Sequence, residues 1–203
     1  MTYNGVVFNE MKGVFSSPEQ LIERKIQQSL YPDTGYGFES GGDPVDIPNL
    51  TYGDYLDFHS KYYHPSNSYI YLYGDMDMEE KLLWLDKEYL SAYDKKDFTL
   101  DSSIALQKPF TEPVEKETTY SVTANEGTED NTYLSLNTVV GTDIDPVLYV
   151  AFQILDYTLI SAPGAPLKQA LIDAGIGKDV YSTMENGIAQ PYFSIVAKNA
   201  DED

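Results

Sequence analysis

Three side chains in this sequence have the right chemistry to hold a metal or move a proton in an unusual setting. They are Glu10, His59 and His64. Glu10 lies among Val6, Val7, Phe8, Met11 and Val14. A carboxylate on so apolar a segment must be paired, protonated or metal-bound if it is buried, and is solvated if it faces out. The two histidines are separated by Ser60-Lys61-Tyr62-Tyr63. Histidines that share a metal on one helix stand three or four positions apart, so that both rings reach the ion. A spacing of five turns them apart, and His64 precedes Pro65, where helical geometry is disfavoured. Capping or surface roles suit them better than a joint metal site.

Other reactive groups are scarce. There is no cysteine, which removes disulfides, thiolate metal sites and thiol nucleophiles. No Gly-x-Ser-x-Gly elbow accompanies the serines. Ser40-Gly41-Gly42-Asp43 is glycine-rich but lacks the lysine and hydroxyl of a phosphate loop, so it reads as a turn.

The elements that position these residues follow from the patterning. Ser16-Ser17-Pro18-Glu19 opens a helix, with Ser16 and Glu19 at capping-box spacing and proline in the first turn. Leu21, Ile22, Ile26 and Leu30 form its apolar stripe. The stretch 33–49 is rich in turn-formers. Thr51 and Asp54 cap a second helix that ends near Tyr63. A strand is expected over 68–73. Asp77 caps a third helix that turns Leu82, Leu83, Leu85 and Leu90 inward. Residues 94–113 have weak periodicity and read as a linker. Beyond it, strands are expected at 118–124 and 132–140, then helices at 146–160 and 166–174, with Gly175 stopping the second. Two further strands are expected at 180–184 and 192–197. Helices and strands mix without regular alternation. This indicates an α+β fold with antiparallel sheets and helices packed on one face.

Composition narrows the partners. The 203 residues carry 13 basic and 33 acidic side chains, a formal charge of −20. Nucleic acid is disfavoured, since no basic patch offsets that charge. The apolar run 146–160 contains Gln153 and Asp156 and is shorter than the roughly 20 residues of a membrane span, so no membrane association is expected. The start of the chain lacks a basic region followed by an apolar stretch, and the expected location is cytoplasmic.

Against this background, Gly5-Val6-Val7-Phe8-Asn9-Glu10-Met11-Lys12-Gly13 resembles a segment of the presequence proteases, a branch of the insulinase (M16) superfamily of zinc metallopeptidases. The similarity continues, in order, through Ser40-Gly41-Gly42-Asp43-Pro44, Tyr62-Tyr63-His64-Pro65-Ser66-Asn67 and Tyr73-Gly74-Asp75. It resumes at Ser161-Ala162-Pro163-Gly164-Ala165-Pro166, Lys168-Gln169-Ala170-Leu171-Ile172 and Gly175-Ile176-Gly177. The resemblance implies that Glu10 matches the family's downstream zinc-binding glutamate. It implies Zn2+ as the cofactor, peptides as substrates, and endopeptidase activity for the full-length protein. The family's His-x-x-Glu-His motif is absent here, so this chain alone is expected to lack catalytic residues, tight zinc binding and activity.

The resemblance further implies parts of two consecutive metallopeptidase-like domains: 1–93 from the first, 94–113 as linker and 114–203 from the second. The remaining segments of the peptidase are then partners. Exposed apolar faces make self-association an expectation, which a monodisperse monomer in light scattering would contradict. Two alternatives stay open: a non-catalytic homologue acting as a structural or peptide-binding subunit, and an acidic, tyrosine-rich binding module.

Overall fold

A computed structural model describes residues 3–98, 103–125, 127–142 and 145–200. By backbone packing the chain falls into two compact units, Met1–Pro44 with Ile104–Asp203, and Val45–Ser103. These units and the division 1–93, 94–113, 114–203 cut the chain at different places. Packing groups the helix at Pro18–Leu30 with a sheet built after residue 131.

The first unit holds helices α1 (Val6–Val14) and α2 (Pro18–Leu30). Strand β1 (Thr132–Val139) follows, then α5 (Pro146–Asp156), a π-helical turn (Tyr157–Ser161), α6 (Pro166–Asp173), β2 (Asp179–Glu185) and β3 (Tyr192–Ala200). The sheet order is β1-β3-β2, antiparallel throughout. Tyr181, Ser194 and Val196 alternate with Val180, Phe193, Ile195 and Ala197, so each strand presents one set to each face. One face meets α2, where Ile26, Leu30 and Tyr31 pack with Tyr192 and Val196. The other meets the π-turn and α6, where Ile160, Leu167, Leu171 and Ile172 pack with Val180 and Ala197. The α+β class and antiparallel pairing are as expected; helical elements cover both faces, because the inward sets of both faces are apolar.

Local signals explain the boundaries. Ser17, not Ser16, is the N-cap of α2: Pro18 occupies the first helical position, and the Gln20 amide donates to Ser17 Oγ at 3.4 Å. Ser16 Oγ instead donates to the Gly13 carbonyl at 2.6 Å. The π-turn is sealed by the Ala162 amide on the Tyr157 carbonyl at 2.8 Å. By length and composition alone the stretch Pro146–Asp173 is able to cross a membrane. It is not one continuous helix, since Pro163 and Gly164, with φ of 72°, break it before α6. Ile160, Leu167, Leu171 and Ile172 of this stretch pack on the sheet, whereas Val147, Val150, Ile154 and Leu155 stand exposed.

The later part of the expected linker, from Ile104, belongs to this unit and is tied down at Gln107. The Gln107 amide donates to Gln190 Oε1 at 2.6 Å, and Gln190 Nε2 donates back to the Gln107 carbonyl at 3.1 Å. Gln107 also exchanges bonds with Asp33: the Asp33 amide donates to Gln107 Oε1 and Gln107 Nε2 donates to Asp33 Oδ2, both at 2.9 Å. Tyr31, fully buried, donates its hydroxyl to the Gln190 carbonyl. Paired in this way, both glutamines are buried without an orphaned amide. The strand expected over 118–124 does not form.

The second unit is helical. In α3 (Tyr52–Tyr62) the Thr51–Asp54 capping box is complete, with the Asp54 amide on Thr51 Oγ1 at 3.2 Å and the Thr51 amide on Asp54 Oδ2 at 3.1 Å. The Thr51 hydroxyl, which donates to Asp54 Oδ2 at 2.6 Å, holds the Asp54 carboxyl below its usual range, with the Thr51 amide adding to the effect. Asp77 caps α4 (Met78–Glu88) through the Glu80 amide at 3.0 Å. Two expectations are corrected here. Residues 68–73 form no strand, because no neighbouring strand pairs with them among the described residues; Tyr69, Tyr71 and Tyr73 stand exposed. Leu82 and Leu83 are exposed rather than inward, since no described element packs across that face of α4.

Candidate metal centre

Helix α1 carries Glu10. The helix starts at Gly5, which offers no side-chain cap, and closes with the Phe15 amide on the Met11 carbonyl at 3.0 Å. Successive helical residues lie about 100° apart, so Glu10 and Met11 point to different sides. Met11 is buried and anchors the helix. Its thioether packs against Gly41 so closely that a Cβ there would lie 2.3 Å from Met11 Sδ. Gly42, with φ of 88°, turns the chain next to it. Asp43 then accepts from Arg24 Nη2 at 2.7 Å, tying the loop to α2. The glycine-rich run 40–43 is therefore the seat of α1, the structural turn expected of it.

Glu10 sits on the exposed side of this helix. One turn back on the same side are Val6, 85% exposed, and Val7, 54% exposed. The carboxylate thus lies on an uncovered apolar helix face, neither buried nor paired within the core. The sequence left open whether Glu10 is buried and paired or faces out; it faces out.

The histidines go elsewhere. His64 is buried in the second unit, accepts from the Ser66 amide on Nδ1 at 3.1 Å and caps the short helix Pro65–Asn67. Tyr93 meets its ring edge-on at 5.2 Å. His59 belongs to an aromatic ladder along α3, stacking on Tyr63 at 4.5 Å and approaching Tyr55 at 6.3 Å. Both have the capping and surface roles that their spacing implies.

A catalytic zinc site takes three protein ligands and leaves one position open. Among the described residues no group of three or more His, Cys, Asp or Glu side chains is placed to hold a metal. Glu10 by itself does not satisfy that requirement, so the residues present do not fit a zinc site on their own. Sequence reasoning missed the Met11–Gly41 contact that fixes the helix carrying Glu10. Its only signal was the paired glycine at 41–42.

Comparison with known proteins bears on what this arrangement belongs to. A family model described as the peptidase M16 inactive domain matches residues 49–203. The chain belongs to the M16 peptidase family. Over nearly its whole length it is 48% identical to protein HypA of Clostridium perfringens, covering 99% of this chain and 20% of that protein. It is 38% identical to presequence protease 1, chloroplastic/mitochondrial, of Arabidopsis thaliana, covering 100% of this chain and 19% of the plant protein. With the mitochondrial presequence protease of Danio rerio the identity is 32%, over 100% of this chain and 20% of that protein. These relatives place this M16 chain in the presequence-protease branch, and it spans about a fifth of their length. Glu10 lies before the residues that the family model matches and within those that the relatives cover. A solved protease from Helicobacter pylori shares the fold, with a TM-score of 0.56 at 19% identity over 97% of this chain and 46% of that one.

Proposed function

We propose that this chain is part of a zinc-dependent endopeptidase of short, unfolded peptides, in which Glu10 is one metal ligand. The other ligands would come from a His-x-x-Glu-His segment that the chain does not contain. The observation that carries the reading is the placement of Glu10. It is a carboxylate on an exposed apolar face, on a helix fixed from behind by Met11 and Gly41. Such a face suits contact with a further segment, because apolar surface around a carboxylate is stabilised when another surface covers it and supplies a counter-charge. The proposed domain division at 94–113 and a cytoplasmic setting belong to the same reading; the cysteine-free composition agrees with the latter.

The test is complementation. The chain is mixed with a separately produced M16 segment bearing His-x-x-Glu-His, and cleavage of an unstructured fluorogenic peptide is followed with and without chelator. The chain alone is expected to bind no stoichiometric zinc and to cleave nothing. The mixture is expected to gain both properties and to lose both with Glu10→Gln. Unchanged zinc and activity in the Glu10→Gln mixture would overturn the role of Glu10, and chelator-sensitive cleavage by the chain alone would overturn its dependence on another segment.

A second reading, a non-catalytic structural or peptide-binding subunit, is favoured by the match to a domain described as inactive. Peptide binding that persists when complementation yields no cleavage supports that reading over the first.

A further inference from the structure

A cleft of about 120 Å³ lies between α2 and the α2-facing side of the sheet. Its walls are mainly apolar, with Ile22 and Ile26 from the helix, Val196 from β3 and the ring of Tyr181 from β2, and the sheet also presents Thr183 and Ser194 to it. Glu19 and Glu23, one helical turn apart on α2, also line it. Glu19 is held in place. Ser17 Oγ donates to its Oε2 at 3.2 Å and Tyr133 donates to its Oε1 at 3.1 Å, with Lys198 Nζ at 3.9 Å. The Glu19 carboxyl lies below its usual range, through a backbone hydrogen bond above all and these side chains in addition. Glu23 is exposed and has no ion pair among the described residues. Burial pushes the Tyr181 hydroxyl up, and the charges of Glu19 and Glu23 push it the same way, so both carboxylates act on the cleft.

We infer that this cleft binds one basic side chain, a lysine or arginine, carried on a peptide. The volume corresponds to about four water molecules at roughly 30 Å³ each, the scale of a butylammonium group. Lysine and arginine combine an apolar stem with a charged head, and the cleft sets apolar side chains beside two carboxylates. Anionic ligands are repelled by the two carboxylates, and an apolar side chain gains nothing from them. A second copy of this chain is a poor occupant, because each copy carries a formal charge of −20. That the occupant is a peptide rests on the peptidase reading; the preference for a cation rests on the cleft alone.

The test is fluorescence anisotropy at low ionic strength, with the whole chain and a labelled hexapeptide containing a single arginine or, in its place, the uncharged isostere citrulline. The arginine peptide is expected to bind about three- to fivefold more tightly, the ceiling for an exposed ion pair. Glu23→Gln is expected to remove that preference, and Glu112→Gln, an exposed acid outside the cleft, to keep it. Equal binding of the two peptides, no saturable binding, or a preference that survives Glu23→Gln overturns the inference. N-acetyl-argininamide separates this from the peptidase reading. Glu23-dependent displacement by it, with no cleavage on complementation, upholds the cation site while the peptidase reading fails. Cleavage on complementation without arginine preference gives the reverse.

Discussion

Replacing Tyr31 with phenylalanine removes one oxygen from the centre of the first unit. Tyr31 is fully buried, and its ring packs edge-on against Tyr36 at 5.7 Å and against Tyr192 at 6.2 Å. Phenylalanine keeps both contacts, so no sizeable cavity forms. What is lost is the donor to the Gln190 carbonyl, which has no other donor among the described residues. A buried acceptor left unpaired costs about 1–3 kcal/mol. Removing the hydroxyl also relieves the burial of that polar group, which offsets part of the cost. The expected loss is therefore about 1–2 kcal/mol, or roughly 2–8 °C in Tm for a chain of this size. Urea unfolding followed by far-ultraviolet circular dichroism measures it, and the slope against urea should not change, because the buried area is the same. Tyr31→Ala, which does open a cavity, should cost about 3–5 kcal/mol. A Tyr31→Phe variant within about 0.3 kcal/mol of the parent would show that the hydroxyl bond contributes nothing net, and would refute the reasoning.

Gly177 has φ of 79°, and a Cβ there would stand 2.9 Å from the Lys198 carbonyl oxygen. Gly177→Ala should thus cost at least about 1–2 kcal/mol from the backbone alone, measured by the same urea titration. Acid should destabilise the first unit through Glu19 and Asp179, whose carboxyls are both held below their ordinary values of 4.5 and 3.8. The folded pKa is the lower one in each case. The stabilisation is present above the ordinary value and is lost as pH falls through the folded value, so Tm should decline below about pH 4.5. Lys168 Nζ donates to Asp179 at 2.7 Å and is the main cause of that shift. Lys168→Met should flatten the part of the decline below pH 3.8 by no more than about 1 kcal/mol, because the pair is partly exposed. A Tm that stays level to pH 3 would contradict both assignments.

What the sequence revealed depended on how local the cause was. The capping box at Thr51 and Asp54 and the cap at Asp77 were legible because each is decided within four residues. β2 and β3 were legible because their alternation matches two apolar layers. The start of α2 was misplaced by one residue, since two serines precede Pro18 and the box spacing favours the wrong one. Residues 68–73 and 118–124 have the composition of strands, but a strand also needs a neighbour, and composition cannot supply one. Leu82 and Leu83 failed as core residues for the same reason. Glu10 stood out as a candidate ligand only through the resemblance around it; its neighbours alone allowed either burial or exposure. The Gln107–Gln190 pairing left no trace in the sequence, because two glutamines 83 positions apart show no pattern.

That pairing and the Tyr31 bond also set a timetable. Tyr31 and Gln190 are 159 positions apart. At synthesis rates of about 5–20 residues per second, α2 leaves the ribosome roughly 8–30 s before its partner exists. Throughout that interval Ile26, Leu30 and Tyr31 have no sheet to cover them. The newborn chain carries that apolar stripe in the open while the whole second unit is made, and this is the window in which a chaperone has the most to shield.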